Sequence, residues 1–364
     1  MVYNRSFNTP LVVFTAMPGE MISNLPPLTW VRKYPTDFGY PTNSGGSYYG
    51  SYPVMYWNGS VYVCRAGGST NLGYISVYDP ATQRWSCTQQ GRSWSYMYVG
   101  NGVFMAYSGR SMYYSRDCRT WSYGGYCVLT SPNHGDIFGE GWASNGTGGV
   151  IGCWNVYDPI FYKGSMAGGG QWTWAGDASD GLYPFNCMEC HKGLYVGFSH
   201  GSLYSDREHK RGIYVSRSGA GWRRTIGVPY GSSFDDSSSG FDSFKSLHGR
   251  LFMEAYARVT NSGPTNYGLC MMNDSANSYR AFMSETVPYL GTRQMPSLST
   301  LTYVDSLGLF LMFKENVVYS SPDGFKWTRN PQVGFTGTMG SAVHIPGDGL
   351  YVSCGTWVWY AACP

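Results

Sequence analysis

The chain has 364 residues, and its composition argues against several classes of protein before any motif is considered. Only 13% of the residues are charged, about half the share in an average globular protein, whereas 49 Gly, 32 Tyr and 13 Trp exceed the average. This balance fits short strands joined by glycine-rich turns, with aromatic side chains supplying the buried area, and it disfavours an ordinary helical enzyme. The net charge of +3 is too small to indicate a nucleic-acid partner or a membrane partner.

The N-terminal residues 1–27 are predicted to form an arm that precedes the folded domain. Their apolar run "LVVFTAM" lacks the basic region and the long hydrophobic region of a secretory signal, so no signal peptide is seen. No stretch of the chain is apolar enough to predict a transmembrane helix. The next segment, "LTWVRKYP" (28–35), reads as a strand.

A tight turn followed by an alternating apolar strand recurs along the chain. Asn-Gly and Asp-Gly pairs favour such hairpins because both residues tolerate positive φ. The recurrence interval, roughly 40 to 55 residues, is that of propeller blades. The seven copies are "WNGSVYVC" (57–64), "GNGVFMAY" (100–107), "GTGGVIGC" (146–153), "HKGLYVGF" (191–198), "LHGRLFMEAY" (247–256), "DSLGLFLMF" (305–313) and "PGDGLYVSC" (346–354).

A third strand, a turn and an aromatic residue that opens a fourth strand follow most copies. Examples are "YISVYDPATQRW" (74–85) and "NVVYSSPDGFKW" (316–327), whereas "GLCMMNDSANSYRAF" (268–282) is in register without a Trp. The last copy ends after three strands, so residues 28–35 are predicted to complete it, with Trp30 at the aromatic position. The predicted fold is all-β: a single β-propeller over residues 28–364, of seven four-stranded blades. Six blades are the alternative if the divergent 241–286 segment is a loop.

The turn in "YSSPDGFKWT" (319–328) resembles the Asp-box of sialidase-like propellers, also called the bacterial neuraminidase repeat. In that family the Asp bonds backbone amides of its turn and the Trp packs between neighbouring blades, which agrees with the ordinary behaviour of both side chains. The resemblance implies a fold and no activity. A full match is formed by Ser321, Asp323, Gly324 and Trp327. A partial match is formed by Ser115, Asp117 and Trp121, with Cys118 and Arg119 where Gly is expected, and a weaker match without the Asp is formed by Ser216, Gly219 and Trp222.

No catalytic constellation emerges from the sequence. The family's sialidases use three arginines, a Tyr–Glu nucleophile pair and an Asp acid, but "VRKYP" (31–35) departs from their Arg-Ile-Pro signature and only seven glutamates are present. Other glycosidases need two facing carboxylates. The run "CMECH" (187–191) matches a haem-attachment pattern, yet strand alternation sends its cysteines to different faces. We therefore predict no catalytic residues, no metal and no cofactor.

Two cysteine pairs, Cys118 with Cys127 and Cys354 with Cys363, could form disulfides in an oxidising compartment.

Polar and aromatic side chains in the predicted loops remain as candidate ligand-binding residues. Such side chains suit sugar rings and protein interfaces, although any one of them could instead pack between blades. The acidic ones could bind Ca²⁺, or simply belong to a solvated loop. The candidates are Trp94, His134, Asp136, Asp177, Tyr204, Tyr230, Asp235, Asp236 and Arg293.

The sequence leads to a prediction of a non-enzymatic binding or assembly module. Its Asp-box resemblance, low charge and Tyr/Ser/Gly-rich composition are similar to those of accessory proteins of bacteriophage virions, which attach to a tail, baseplate or capsid. That resemblance implies a virion or extracellular location, virion or surface proteins and host-surface glycans as partners, and a possible homo-oligomer, without nucleic acid or membrane insertion. The alternatives are a sialidase-like glycoside hydrolase and an intracellular scaffold.

Overall fold

The computed structural model describes most of the chain from residue 25 onward, and its regular elements there are almost all β-strands. In that part of the chain no helix has the length and apolarity to cross a membrane. The described residues are 25–40, 54–60, 62–65, 74–89, 96–108, 111–126, 138–154, 160–165, 173–176, 185–199, 212–227, 239–258, 263–288, 291–332, 337, 339–355 and 357–363.

The strands in the first half of the chain are short, and a 3₁₀ turn at Pro35–Phe38 follows the first of them. They are β1 (Trp30–Lys33), β2 (Val54–Trp57), β3 (Tyr62–Arg65), β4 (Tyr74–Asp79), β5 (Arg84–Gln89), β6 (Tyr96–Gly100), β7 (Val103–Ser108), β8 (Ser111–Ser115), β9 (Ser122–Tyr126), β10 (Phe138–Ser144), β11 (Gly148–Trp154), β12 (Ile160–Ser165) and β13 (Thr173–Gly176).

The second half continues the pattern, and its described residues include a 3₁₀ turn at Leu298–Thr300. Its strands are β14 (Phe185–His191), β15 (Leu194–Ser199), β16 (Gly212–Ser216), β17 (Arg223–Gly227), β18 (Ser239–Leu247), β19 (Arg250–Arg258), β20 (Thr265–Met272), β21 (Tyr279–Val287), β22 (Thr302–Val304), β23 (Leu309–Lys314), β24 (Val317–Ser321), β25 (Thr328–Pro331), β26 (Met339–Ile345), β27 (Gly349–Cys354) and β28 (Trp357–Ala362).

These strands form seven four-stranded antiparallel sheets among the described residues. Six of the sheets are meanders of consecutive strands: β2–β5, β6–β9, β10–β13, β14–β17, β18–β21 and β22–β25. The divergent 241–286 segment supplies most of the β18–β21 sheet, and each turn-and-strand copy identified in the sequence provides the second strand of one sheet. The repeat therefore corresponds to a structural unit.

The last sheet is completed from the N-terminal side of the chain, as predicted. It has the order β1-β28-β27-β26, and β1 pairs with β28 from Trp30 opposite Ala361 to Lys33 opposite Val358. The first and last strands of the described chain thus share one sheet. The outer edge of β28, which would otherwise be open, is covered by β1.

The strands divide between two compact units, each with its own buried clusters. One unit contains the sheets β10–β13, β14–β17 and β18–β21, and in it Phe198, Val196, Leu251 and Met253 are fully buried in one cluster. The other contains the remaining four sheets. Its largest cluster includes Trp30, which packs edge-on against Phe313 at 5.9 Å.

The turns at Asp117 and Asp323 show the hydrogen bonds from backbone N–H groups to the Asp side chain that the sequence predicts. Asp323 accepts hydrogen bonds from the backbone N–H groups of Phe325 and Lys326, both at 2.8 Å, and from the Ser321 hydroxyl at 3.0 Å. Gly324 has a φ of 76°, which favours glycine. In the other turn Asp117 accepts from two backbone N–H groups in the same way, and Cys118 occupies the glycine position with a φ of 56°.

One of the two proposed disulfides is wrong. Cys354 and Cys363 are both buried, and neither forms a disulfide. Cys354 lies opposite Trp357 at one end of the β27–β28 hairpin, while Cys363 follows Ala362, which pairs with Gly349 at the other end. Five residues of strand separate these positions, about 17 Å, whereas disulfide Cα atoms lie about 4–7 Å apart. Cys118 is buried and forms no disulfide with a described residue, and its proposed partner, Cys127, lies outside the described residues.

Replacing Trp30 by Ala tests the contribution of β1 to stability. Because the ring is buried against Phe313 and its indole N–H donates to Gln332 at 3.2 Å, we expect a loss of about 3–5 kcal/mol in unfolding free energy. Val31 is 52% exposed, so V31A is the matched control and should change stability by less than about 0.5 kcal/mol. Urea denaturation measures both variants, and equal losses would contradict the assignment.

Replacing Asp323 by Asn tests the turn charge. Burial would raise the pKa of Asp323, but hydrogen bonds from the backbone N–H groups of Lys326 and Phe325 outweigh it and lower the pKa below 3.8. The contribution of the ionised Asp323 carboxylate to the free energy of unfolding is therefore present above about pH 4. It is lost as the pH falls through the native pKa of Asp323. D323N should lose about 1 kcal/mol at pH 7 and approach the wild type in acid. The control K326Q keeps the backbone N–H; an unchanged acid profile in D323N would refute the capping role.

Candidate functional site

A cavity of about 290 Å³, here called the aromatic cleft, lies where the last sheet packs against the first meander. Both sheets belong to the same compact unit. The contributing elements are β1, the 3₁₀ turn after it, the β4–β5 hairpin, the β26–β27 turn, β27 and β28. The lining residues are Lys33, Asp37, Phe38, Gln83, Arg84, Trp85, Asp348, Tyr351 and Tyr360.

The 3₁₀ turn places Phe38 in the cleft, and the residues of the turn itself determine its conformation. Pro35 opens the turn, and Asp37 accepts a hydrogen bond from the backbone N–H of Tyr34 at 2.7 Å. Gly39 ends it with a φ of 73°, and a Cβ there would lie 3.1 Å from the backbone nitrogen of Cys87. The Ser76 hydroxyl then donates to the carbonyl of Phe38 at 2.6 Å, which ties the turn to the first meander.

Aromatic rings form the wall of the cleft. Trp85 contacts Phe38, Tyr78 and Tyr351 edge-on, with centroid distances of 5.1, 5.2 and 5.5 Å. Tyr351 in turn lies 5.0 Å from Tyr360. Edge-to-face contacts at these distances are the favourable geometry for aromatic pairs. The wall is therefore a fixed array of rings.

Asp348 connects the tyrosines at the base of this wall. The hydroxyl of Tyr351 donates to its carboxylate at 2.8 Å, and the hydroxyl of Tyr360 donates to the carboxylate at 3.1 Å and to the Asp348 carbonyl at 3.0 Å. Between the β4–β5 turn and the β26–β27 turn, the side-chain amide of Gln83 donates to the carbonyl of Gly347 at 3.3 Å. Hydrogen bonds thus hold the two turns that border the cleft.

The tyrosines of the cleft are neutral hydrogen-bond donors at ordinary pH. Burial, and then the nearby Asp348 carboxylate, raise the pKa of Tyr360 to about 12. The same causes raise the pKa of Tyr351 and of the adjacent Tyr78 well above the usual value. Phenolate would place a second negative charge beside Asp348, so these side chains are poor nucleophiles.

The rim of the cleft is charged. The Lys33 ammonium lies 4.7 Å from the Tyr360 ring centroid, and Arg84 also contributes to the rim. Within the described part of the chain, neither cation forms an ion pair with a carboxylate. A wall of rings beside groups able to form hydrogen bonds is a suitable surface for a small polar ligand.

Of the ligand-binding candidates taken from the sequence, Arg293 forms structural contacts and is not among the residues that line the aromatic cleft. Its guanidinium donates to the buried Glu254 carboxylate and to the carbonyl of Pro296, the latter at 2.7 Å, and lies 4.9 Å from the Tyr267 ring centroid. Its role in ligand binding stays a prediction. The other candidates lie outside the described residues: Trp94, His134, Asp136, Asp177, Tyr204, Tyr230, Asp235 and Asp236.

The "CMECH" residues (187–191) form the C-terminal part of β14. His191 is buried, with Nδ1 2.9 Å from the Ser246 hydroxyl and Nε2 3.1 Å from the Asp274 carboxylate. Burial, followed by the charge of Glu189, raises the pKa of Cys190 to about 12, so the thiol is protonated. Across the described residues, no three His, Cys, Asp or Glu side chains are grouped as metal ligands.

Sequence reasoning missed the aromatic cleft, although it identified segments that contribute to it. The pattern "YISVYDPATQRW" contains Trp85, and the predicted pairing of residues 28–35 with the last sheet places Lys33 next to that sheet. The tyrosine–Asp348 contacts were not predicted. Their signal is the Asp-Gly turn at 348–349, which is followed by Tyr351 and then Tyr360.

Comparison with solved structures identifies the fold. The chain matches no family model, and it matches no curated protein. The β-propeller domain of Myceliophteria thermophila Cps50 (Swd1) is similar with a TM-score of 0.53 and 7% identity, over 87% of this chain and 98% of that one. The WD40 domain of Neurospora crassa Pan2 is similar with a TM-score of 0.51 and 8% identity, over 92% and 96%.

A virginiamycin B lyase from Staphylococcus aureus is also similar, with a TM-score of 0.50 and 8% identity over 93% of this chain and 99% of that one. At such identities the likeness concerns the fold alone. The chain has an all-β propeller fold made of four-stranded antiparallel sheets.

Replacing Asp348 by Asn tests the tyrosine network. Removal of the negative charge should lower the pKa of Tyr360 from about 12 towards 10. Because the native pKa is raised, the associated stability is present below about pH 10 and is lost as pH rises through the native value. NMR of ¹³Cζ-tyrosine protein reports the titration, and Y360F assigns the signal. A Tyr360 pKa that is the same in D348N and wild type would contradict the network.

Proposed function

We propose that the chain is a binding propeller that holds a sugar ligand in the aromatic cleft. The observation that carries this proposal is the meeting of Trp85, Phe38, Tyr351 and Tyr360 with a charged rim in one cavity. Aromatic faces stack on the C–H surfaces of sugar rings, and rim groups hydrogen-bond the hydroxyls. A cavity of about 290 Å³ is close to the lower limit of ligand pockets, which suits a sugar ring.

The fixed geometry of the cleft favours binding. Its rings are held by mutual contacts and by bonds to Asp348, so little side-chain entropy would be lost when a ligand enters. Its tyrosines have raised pKa values, so they act as donors and lack the phenolate character that a sialidase-like nucleophile requires. These features support a non-enzymatic role for this site.

The biological setting that we propose is a bacteriophage virion, with a host-surface glycan as ligand and virion or surface proteins as partners. The support is the Asp-box resemblance at Ser321, Asp323, Gly324 and Trp327, together with the low charge and the abundance of Tyr, Ser and Gly. The similar solved structures include WD40 domains and a lyase, so fold likeness leaves the choice between binding and catalysis to experiment.

A glycan array combined with a hydrolysis assay tests the proposal. Wild-type protein should bind a subset of glycans without releasing sugar. W85A should reduce affinity for those glycans about tenfold or more, because ring stacking contributes about 1 kcal/mol beyond the lost contact area. K33A removes a rim cation and should also weaken binding. Tyr123, which is 49% exposed on the β6–β9 sheet, provides the matched control Y123A.

Three results would overturn the proposal. They are an absence of glycan binding, binding unaffected by both W85A and K33A in proteins with wild-type circular dichroism, and turnover abolished by replacing a single carboxylate. The last result would favour the sialidase-like hydrolase.

A further inference from the structure

A second aromatic platform lies on the same face of the first meander as the cleft. Trp57 ends β2, is 42% exposed, and stacks on Tyr62 with a centroid distance of 5.9 Å and an interplanar angle of 12°. One face of its indole is thus supported by Tyr62, while a large part of its surface is open to solvent. This combination is the form of a stacking platform.

The turns of the first meander place Trp57 and the aromatic cleft at one end of the sheet. In an antiparallel meander, the β2–β3 turn and the β4–β5 turn lie at the same end, and they flank Trp57 and Trp85 respectively. The bond from Gln83 to Gly347 adds the β26–β27 turn to this end.

The register places both rings on one face. Trp57 lies directly opposite Tyr62 on the neighbouring strand, and residues opposite each other in a sheet project to the same side. Tyr62 packs against the cluster that contains Tyr351, and Trp85 and Tyr360 pack against the same cluster. Trp57 is therefore on the face that lines the cleft.

A continuous series of ring contacts links the two platforms. Tyr62 lies 6.5 Å from Tyr78, and Tyr78 lies 5.2 Å from Trp85, both edge-on. The distance from Trp57 to the cleft therefore spans several ring contacts, more than a single sugar ring can cover. Because Tyr62 and Tyr78 are packed in the sheet interface, their contacts also fix the position of Trp57.

We propose that the ligand is an extended, linear oligosaccharide, with one sugar in the aromatic cleft and a later sugar stacked on Trp57. This inference rests on the proposed function and adds the ligand's length and a second subsite. A binding module with two subsites gains affinity as the ligand grows, because the second contact forms without a second loss of translational freedom.

The experiment compares matched di- and tetrasaccharides of linear glucose, N-acetylglucosamine, mannose and galactose polymers on an array, with titration calorimetry of the strongest pair. Wild-type protein should bind the tetrasaccharide about tenfold more tightly than the disaccharide. W57A should remove this advantage and leave the disaccharide affinity unchanged, whereas W57F should retain most of it. Y123A, which truncates an aromatic of comparable exposure on another sheet, should preserve the advantage.

The outcomes separate the two proposals. The second subsite would be overturned by equal affinity for di- and tetrasaccharides, or by an affinity gain with ligand length that persists in folded W57A. In either case, binding that depends on Trp85 would still support the aromatic cleft as a sugar site. Loss of both affinities in W57A with an unchanged melting curve would also overturn it. An absence of binding to every glycan would overturn the proposed function and the subsite together.

Discussion

The pairing of β1 with β28 is the constraint on which the candidate site depends. It brings a strand from the start of the described chain to the outer edge of the last sheet, with Trp30 in a buried cluster on one face. On the other face it sets Lys33 over the Tyr360 ring. Because the 3₁₀ turn follows immediately, the same pairing delivers Phe38 to Trp85. Without β1 the cleft would lose one side.

Apolar packing and hydrogen bonds both stabilise the contact between the last sheet and the first meander. The rings of Trp85, Tyr351 and Tyr360 supply apolar area, and Asp348 accepts a hydrogen bond from each of the two tyrosine hydroxyls. Burial, and then the nearby carboxylate, raise the pKa of Tyr351 and of Tyr360, so both hydroxyls stay protonated and act as hydrogen-bond donors. One turn therefore stabilises the sheet interface and determines the chemistry that the cleft presents.

Much of the fold could be predicted from the sequence because its signals are local. Glycine-containing turns, several of them Asn-Gly or Asp-Gly, predicted the second strand of each sheet, and the Ser-x-Asp spacing predicted the bonds of the turns at Asp117 and Asp323. The closing strand followed from an incomplete last repeat and Trp30. The predicted disulfide between Cys354 and Cys363 failed because the register of the β27–β28 hairpin places the two residues at opposite ends. Cysteine spacing along the sequence does not determine that register.

The candidate site could not be predicted in the same way. Its residues come from segments roughly 300 positions apart, and the contact between Trp85 and Tyr351 depends on how two sheets pack. A loop position also says little about the partner of a charged group: Arg293 binds the buried Glu254, which no spacing in the sequence indicates. Aromatic residues identified as blade packing, such as Trp85, can also line a cavity.

The most direct test of sugar binding in the aromatic cleft is a crystal structure of the protein soaked with the glycan that binds most tightly on the array. We expect electron density for a sugar ring in van der Waals contact with Trp85 and Tyr360, beside the Lys33 ammonium. A sugar bound instead against Trp94, His134 or Asp235, with an empty aromatic cleft, would contradict the proposed binding site.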